Sequence, residues 1–332
     1  MKYEVITLDK DFNVTLSCYR HEKSAEMPNV NLRPAVLVFP GGAYRVCSDR
    51  EAEPVALAYL AEGYHAFVLR YTVGEAVEHP KPLRDAEAAI KTLTDNADSW
   101  GIDASRIAVV GFSAGGHLAV SLGTLGAIRP AALILGYPGI LSNKARSIFG
   151  DMPELDTVVD GKTPPSFIFT TSEDEIVPVE HSLRYAAALD RAGVPFEMHI
   201  YQKGVHGLSL AKPLTSSGLR RMVEPRVSAW FAESAAWLKE LWGDFEHNAV
   251  SNTPGVLNEF EAYGVDVALE YLWANPKCRE IIIKHIPEFS DEKAARSAMS
   301  VSLRFIAGYK PGFISGAVLE TLDTELRSIP VK

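Results

Sequence analysis

The residues predict an α/β fold, a mostly parallel sheet with helices on both faces, and two observations carry that expectation. First, short apolar runs rich in β-branched residues alternate with helical patterns from Pro34 to Leu241; such alternation builds parallel strands joined by crossover helices. Second, Ile107-Ala108-Val109-Val110 ends at Gly111, and a helical pattern begins at once with Ala114, Leu118, Ala119 and Leu122. That abrupt strand-to-helix join is the unit such a sheet repeats.

Taken in order, residues 2–20 alternate twice, KYEVITL and NVTLSCYR, around the polar turn Asp9-Lys10-Asp11, which reads as a β-hairpin at a sheet edge. His21 to Arg33 is polar and proline-bearing, a loop. Pro34 to Phe39 is a buried strand running into Pro40-Gly41-Gly42-Ala43-Tyr44. Ser48 to Ala61 reads as a helix and His65 to Arg70 as a strand. Leu83 to Trp100 is a long amphipathic helix with Ala86, Ala89, Ile90 and Leu93 on one face. Strands follow at Ala131–Leu135, Ser166–Phe169 and Phe196–Tyr201, with helices at His181–Arg191 and Arg226–Leu241. Ser142 to Lys162 is irregular, short and acidic.

Composition bounds the function. A chain of 332 residues, 47% hydrophobic, has room for one large α/β domain and an accessory segment. A formal net charge of −9 without a long basic run argues against nucleic acid and anionic membrane as partners. The N-terminus lacks the apolar core of a signal peptide, and no stretch reaches bilayer-spanning length. Cys18, Cys47 and Cys278 are odd in number and widely spaced, so neither a disulfide framework nor a zinc site is expected. The expectation is a cytoplasmic protein with no metal and no organic cofactor.

Gly111-Phe112-Ser113-Ala114-Gly115 is a G-x-S-x-G in strand-turn-helix context, the pattern of a nucleophile elbow. Residues two before and two after the serine must be small so that strand and helix can approach. The helix that follows points free N–H groups and its positive end at the serine oxygen. A Gly-Gly pair directly after a strand frees backbone donors near a ligand, so the N–H groups of Gly42 and Ala43, with that of Ala114, are the candidate oxyanion hole.

In open parallel sheets catalytic groups collect beyond the carboxyl ends of the strands. Asp174, with Glu173 and Glu175 beside it, follows the strand ending at Phe169, and His206 lies in Gly204-Val205-His206-Gly207 after the strand ending at Tyr201. The order Ser113, Asp174, His206 is a Ser…Asp…His triad order. Asp174 is preferred and Glu173 is the alternative. His117 and His199 are better explained as structural. Tyr44, Arg50, Glu51 and Tyr71 follow strand ends as candidate substrate-binding residues, although salt bridging on a helix surface explains Arg50 and Glu51 equally well.

PGGAYRVCSDREAEPVA, DNADSWGIDASRIAVVGFSAGGHLAVSLG, TSEDEIVPVEHSL and YQKGVHGLSLA together resemble the acetyl esterase and acetylxylan esterase-like α/β-hydrolases, a group with relatives among bacterial feruloyl esterases and hormone-sensitive-lipase-like esterases. The resemblance covers about residues 1–243. It implies the α/β-hydrolase fold, with Ser113 as nucleophile, His206 as base and Asp174 as its orienter. Pro40-Gly41-Gly42-Ala43 stands where many relatives have His-Gly-Gly-Gly; a backbone donor survives at Ala43.

Domain boundaries are expected at 1–245 for the catalytic domain, 246–258 for a linker marked by Asn252-Thr253-Pro254-Gly255, and 259–332 for a helical domain. In the last, helices are expected over Val265–Ala274, from Asn275-Pro276 to Pro287, from Ser290 to Gly308, and from Ser315 onward. Leu269, Leu272, Ile282, Ile286, Met299, Leu303, Ile306, Val318, Leu319, Leu322 and Leu326 recur at helical spacing. Such a bundle docks on the hydrolase or on another subunit of a homo-oligomer, alternatives the residues leave open.

The expected activity is that of a serine esterase removing acetyl groups from a sugar or oligosaccharide ester, with the substrate class resting on the resemblance. A general carboxylesterase or lipase, a serine peptidase and a non-enzymatic binding module are the competing readings. A lipase would usually carry an apolar lid, which the acidic Ser142–Lys162 stretch does not offer. A serine peptidase would be marked by a paired-acid clamp for a peptide N-terminus, which the residues do not suggest. A binding module would have no reason to keep all three of Ser113, Asp174 and His206.

Overall fold

The computed structural model describes residues 1–74, 77, 80–141, 154–243 and 262–331. The chain divides into two compact units, Met1–Phe245 and Glu246–Lys332. The Asn252–Gly255 linker signal and residues 142–153 of the acidic stretch lie outside the described residues.

In the first unit one sheet runs through β1 (Lys2–Asp9), β2 (Val14–Arg20), β3 (Arg33–Phe39), β4 (His65–Arg70), β5 (Ile102–Phe112), β6 (Ala132–Gly136), β7 (Ser166–Thr171) and β8 (Phe196–Tyr201). Their spatial order is β1-β2-β4-β3-β5-β6-β7-β8. The β1–β2 hairpin is antiparallel and joins the sheet through an antiparallel β2–β4 pair; every pairing from β4 to β8 is parallel.

The helices are α1 (Glu53–Ala61), α2 (Lys81–Asp95), α3 (Ala97–Trp100), α4 (Ala114–Leu125), α5 (Glu180–Ala192) and α6 (Trp230–Trp242). Side chains alternate across the sheet. Ala35, Leu37 and Phe39 of β3 join one core with Ala86 and Ile90 of α2, Leu118 of α4 and Leu189 of α5. Val36 and Val38 join the other with Tyr59 of α1 and Trp230 of α6. All seven residues of β3 are buried, which is why Pro34 to Phe39 is an unbroken apolar run.

Of the elements in this unit that differ from the sequence reading, three do so for a local reason. The helix expected from Ser48 is a 3-10 turn over Asp49–Glu51, and α1 starts only at Glu53. Pro54 fits the first turn of a helix but not its interior, where it would remove a donor and clash with the preceding turn. The long helix to Trp100 breaks at Asn96 into α2 and α3, and Gly101, in the left-handed region at φ 71°, ends α3. Strand β5 begins five residues before Ile107, because Ile102 already pairs with Arg33.

The second unit holds α7 (Leu269–Ala274), α8 (Pro276–His285), α9 (Glu292–Ser297), α10 (Leu303–Tyr309) and α11 (Gly316–Arg327). Leu269, Leu272, Cys278, Ile282, Leu303, Leu322 and Leu326 form its buried core, and Met299, Ile306, Val318 and Leu319 pack against it. Asn275, Ser302 and Ser315 cap α8, α10 and α11, each accepting a backbone N–H inside its helix. The helix expected from Ser290 to Gly308 is two. Ser302 pairs with Ala268 as an antiparallel bridge, and Val301 O and Met299 O accept the first N–H groups of α7, so this backbone is spent between helices.

Candidate active site

Ser113 stands between β5 and α4 at φ 52° and ψ −115°, a conformation disfavoured for a residue with a side chain. Its N–H donates to Gly136 O at 3.0 Å, and its carbonyl accepts from His117 N and Gly139 N, each at 3.0 Å. The flanking glycines are sterically required. A Cβ on Gly111 would lie 2.4 Å from Gly115 O, and one on Gly115 would lie 2.1 Å from Phe39 O. Closeness at Gly115 brings the end of β3, and the loop after it, onto the elbow.

That loop passes directly beside Ser113, since a Cβ on Gly41 would sit 3.0 Å from Ser113 Cβ. Gly42 (φ 131°), Ala43 (φ 55°) and Tyr44 (φ 58°) all have positive φ, and their turn is closed by Arg45 N and Val46 N donating to Gly42 O. Among the described residues, the N–H groups of Gly42, Ala43 and Ala114 have no acceptor. Three strand-tail donors thus remain available around Ser113.

His206 Nε2 lies 2.9 Å from Ser113 Oγ, and His206 Nδ1 lies 2.7 Å from Asp174 Oδ2. Asp174 Oδ1 accepts the N–H groups of Ile176 and Val177, each at 2.9 Å. Two backbone N–H groups and the His206 ring therefore hold a carboxylate whose side chain is 1% exposed, while the imidazole is 17% exposed and reachable. Glu173, the alternative acid, does not reach His206; its Oε2 accepts Gly204 N–H at 3.1 Å and braces the histidine loop. Thr171 Oγ donates to Gly204 O at 2.6 Å from the same side.

The four candidate substrate-binding residues are placed differently from expectation. Tyr44 and Tyr71 are buried, at 3% and 2% exposure, and meet edge to face. Tyr44 Oη lies 2.9 Å from His117 Nδ1, and Tyr71 Oη donates to Pro40 O at 2.6 Å. Burial pushes both phenols well above their ordinary pKa. Tyr71 thus braces Pro40, just before the Gly41–Ala43 loop, and Tyr44, just after it, is tied to α4 through His117. Among the described residues, Arg50 and Glu51 form no helix-surface salt bridge. Arg50 donates to Gly207 O at 2.7 Å and Thr215 O at 3.2 Å, and Glu51 is buried with both oxygens accepting internal donors.

Tyr137, which the sequence reading did not single out, lies beside His206. It follows β6 directly at φ 37°, buried, with its ring edge-on to His206 at 5.0 Å. The same strand-tail rule that singled out Asp174 and His206 would have pointed to it.

Two family models tile this unit: BD-FAE matches residues 8–136, and the prolyl oligopeptidase family model matches residues 137–241. Endo-1,4-beta-xylanase B of Butyrivibrio fibrisolvens is 33% identical over 216 residues, 56% of this chain and 34% of that protein. The chain therefore spans about a third of that curated relative's length. Among solved structures, MGS-M1, an alpha/beta hydrolase enzyme from a Medee basin deep-sea metagenome library, is 48% identical with a TM-score of 0.70, covering 73% of this chain and 98% of that one. An acetyl ester-xyloside bifunctional hydrolase from Caldicellulosiruptor lactoaceticus is 33% identical with a TM-score of 0.62, covering 72% and 97%. With its sheet, its elbow and these likenesses, the chain belongs to the acetyl and feruloyl esterase-like α/β-hydrolases.

Proposed function

We propose that the chain is a serine esterase that removes short acyl groups, acetyl foremost, from sugars or oligosaccharides such as acetylated xylo-oligosaccharides. The observation that carries the esterase reading is the Ser113–His206–Asp174 relay at 2.9 and 2.7 Å. Ser113 Oγ attacks the ester carbonyl carbon as His206 Nε2 takes the hydroxyl proton. Asp174 holds the imidazole in the tautomer that can accept it and stabilises the imidazolium. The N–H groups of Gly42, Ala43 and Ala114 receive the oxyanion. His206 returns the proton to the leaving alcohol, and water, deprotonated by His206, releases the acid from the acyl-enzyme.

The sugar-ester substrate is supported by the likeness to a xylanase and to an acetyl ester-xyloside hydrolase. The test is hydrolysis of p-nitrophenyl esters from acetyl to octanoyl beside acetate release from acetylated xylo-oligosaccharides. Fast acetyl cleavage with acetate released from the sugar is expected. Rates that climb with acyl length, without acetate from the sugar, would make it a general carboxylesterase. Loss of both activities in Ser113→Ala, by roughly 10⁶-fold in kcat, is expected of the triad.

A further inference from the structure

We propose that Glu51 is a positioning residue for ester hydrolysis, tying the Gly41–Ala43 loop to the His206 loop through Tyr137. The proposal rests on the esterase reading above. Glu51 Oε2 accepts the Gly41 N–H at 2.9 Å and Oε1 accepts the Tyr137 O–H at 2.6 Å. Tyr137 Oη in turn accepts the Ser209 N–H at 2.8 Å, three residues beyond His206. The chain of donors runs one way, from Ser209 to Tyr137 to Glu51, and Gly41 supplies the second donor.

The placement explains why a carboxylate is here. Gly41, Tyr137 and Ser209 follow β3, β6 and β8, strands that are not neighbours in the sheet. No ladder hydrogen bond can register their loops against one another. Glu51 is 3% exposed and spans them with two oxygens that accept only. A Cβ on Gly41 would meet Glu51 Oε2 at 2.6 Å and Ser113 Cβ at 3.0 Å, so the carboxylate and the nucleophile press on the same residue. Arg50 completes the clamp by donating to Gly207 O, next to His206, and its own carbonyl accepts the Ser209 hydroxyl. Burying a carboxylate away from solvent is costly unless its partners are all present, and here every partner belongs to a loop of the site.

Glu51→Gln keeps the shape but must turn an NH2 toward either the Gly41 N–H or the Tyr137 O–H, placing donor against donor. With p-nitrophenyl acetate, kcat is expected to fall about 10- to 100-fold, short of deleting an oxyanion donor outright, with KM within about threefold. Tyr137→Phe keeps the ring on His206 and removes the hydroxyl; a loss of about 3- to 10-fold in kcat is expected. The double variant should be no more than about threefold worse than Glu51→Gln, because both changes break one connection. Unchanged kcat in Glu51→Gln, a loss lying in KM, or losses that multiply in the double variant would each overturn the proposal. If Glu51→Gln does not fold, Tyr137→Phe decides alone, and wild-type kcat there overturns it. Ser113→Ala is assayed alongside: residual wild-type turnover in that variant sinks the esterase reading itself, whereas an inactive Ser113→Ala with an unaffected Glu51→Gln sinks only the role of Glu51.

Discussion

Ser113 is held at a positive φ that a residue with a side chain adopts at a cost of order 1–3 kcal/mol. The surrounding contacts over-determine it, since its N–H and its carbonyl are both engaged with β6 and the loop beyond. His206 depends on Asp174 in another way. Asp174→Asn leaves the shape intact but presents an amide where Nδ1–H needs an acceptor, and the imidazole then favours the tautomer that cannot take the serine proton. A drop of about 10⁴-fold in kcat at neutral pH is expected, with the backbone fold unchanged by circular dichroism; a drop below tenfold would mean that Asp174 does not orient His206. At this scale Ser113, Asp174 and His206 could be singled out as candidates because each follows the carboxyl end of a strand. The fates of Tyr44, Arg50, Glu51 and Tyr71 were not legible. Their chain positions after strand ends are right, but which way a side chain turns there depends on partners up to 165 residues away, such as Thr215 for Arg50.

Pro54 shows how one residue sets an element and, through it, the site. By delaying α1 to Glu53, it leaves Asp49–Glu51 as a separate 3-10 turn whose side chains reach the loops after β3, β6 and β8. At the elbow, Gly115→Ala would push a methyl into backbone carbonyls at 2.1 Å from Phe39 and 2.5 Å from Pro40. Neither is a flexible side chain that can move aside. A loss of about 3 kcal/mol in unfolding by urea is expected, together with lower activity in the molecules that fold, because α4 and the Gly41–Ala43 loop are forced apart. Wild-type stability and turnover would show that the elbow can spread freely. In the helical unit the caps are separable. Ser315→Ala removes the oxygen that accepts Val318 N–H and should cost about 1 kcal/mol, read as faster amide exchange at the start of α11. The Asn275 and Ser315 caps are local signals and were readable, whereas Ser302 was read as helix interior. The break between α9 and α10 was not readable, since the residues from Ala298 to Val301 carry no glycine or proline; it exists because their carbonyls serve α7.

For the whole molecule, pH acts through buried histidines away from the triad. His65 Nδ1 accepts the His21 N–H at 3.1 Å and its Nε2 faces Gly101 O at 3.2 Å, an arrangement that fits only the neutral ring. Burial lowers its pKa from 6.5 to about 4, and burial lowers that of His21 in the same direction. The folded state resists the proton that the unfolded chain takes up. Stability from His65 is therefore fully present above pH 6.5 and is lost as pH falls from 6.5 towards 4, by about 3 kcal/mol in all. Urea unfolding of the wild type and His65→Gln at pH 7.5 and 4.5 should show the wild type losing more on acidification; equal losses would remove His65 from the acid limb. We further propose that Met1–Phe245 is a self-sufficient catalytic unit. It has cores on both sheet faces, and MGS-M1 aligns over 98% of its own length to 73% of this chain. A chain ending at Phe245 should keep kcat on p-nitrophenyl acetate within about twofold, and a folded but inactive truncation would assign the helical unit a part in the reaction.

The amino-acid sequence alone determined most of the strand and helix succession of the sheet, the elbow with its two obligatory glycines, the chain order of the proposed triad and the helical character of the segment that holds Leu269–Arg327. These follow from periodicity, capping and steric size, which act between residues a few positions apart. Tertiary structure alone decided that β2 and β4 pair antiparallel, that Tyr44 and Tyr71 are buried against His117 and Pro40, and that Glu51 joins the tails of β3 and β6. A buried side chain must find donors and acceptors wherever folding brings them, and here folding brings them from strands that are neighbours neither in the chain nor in the sheet.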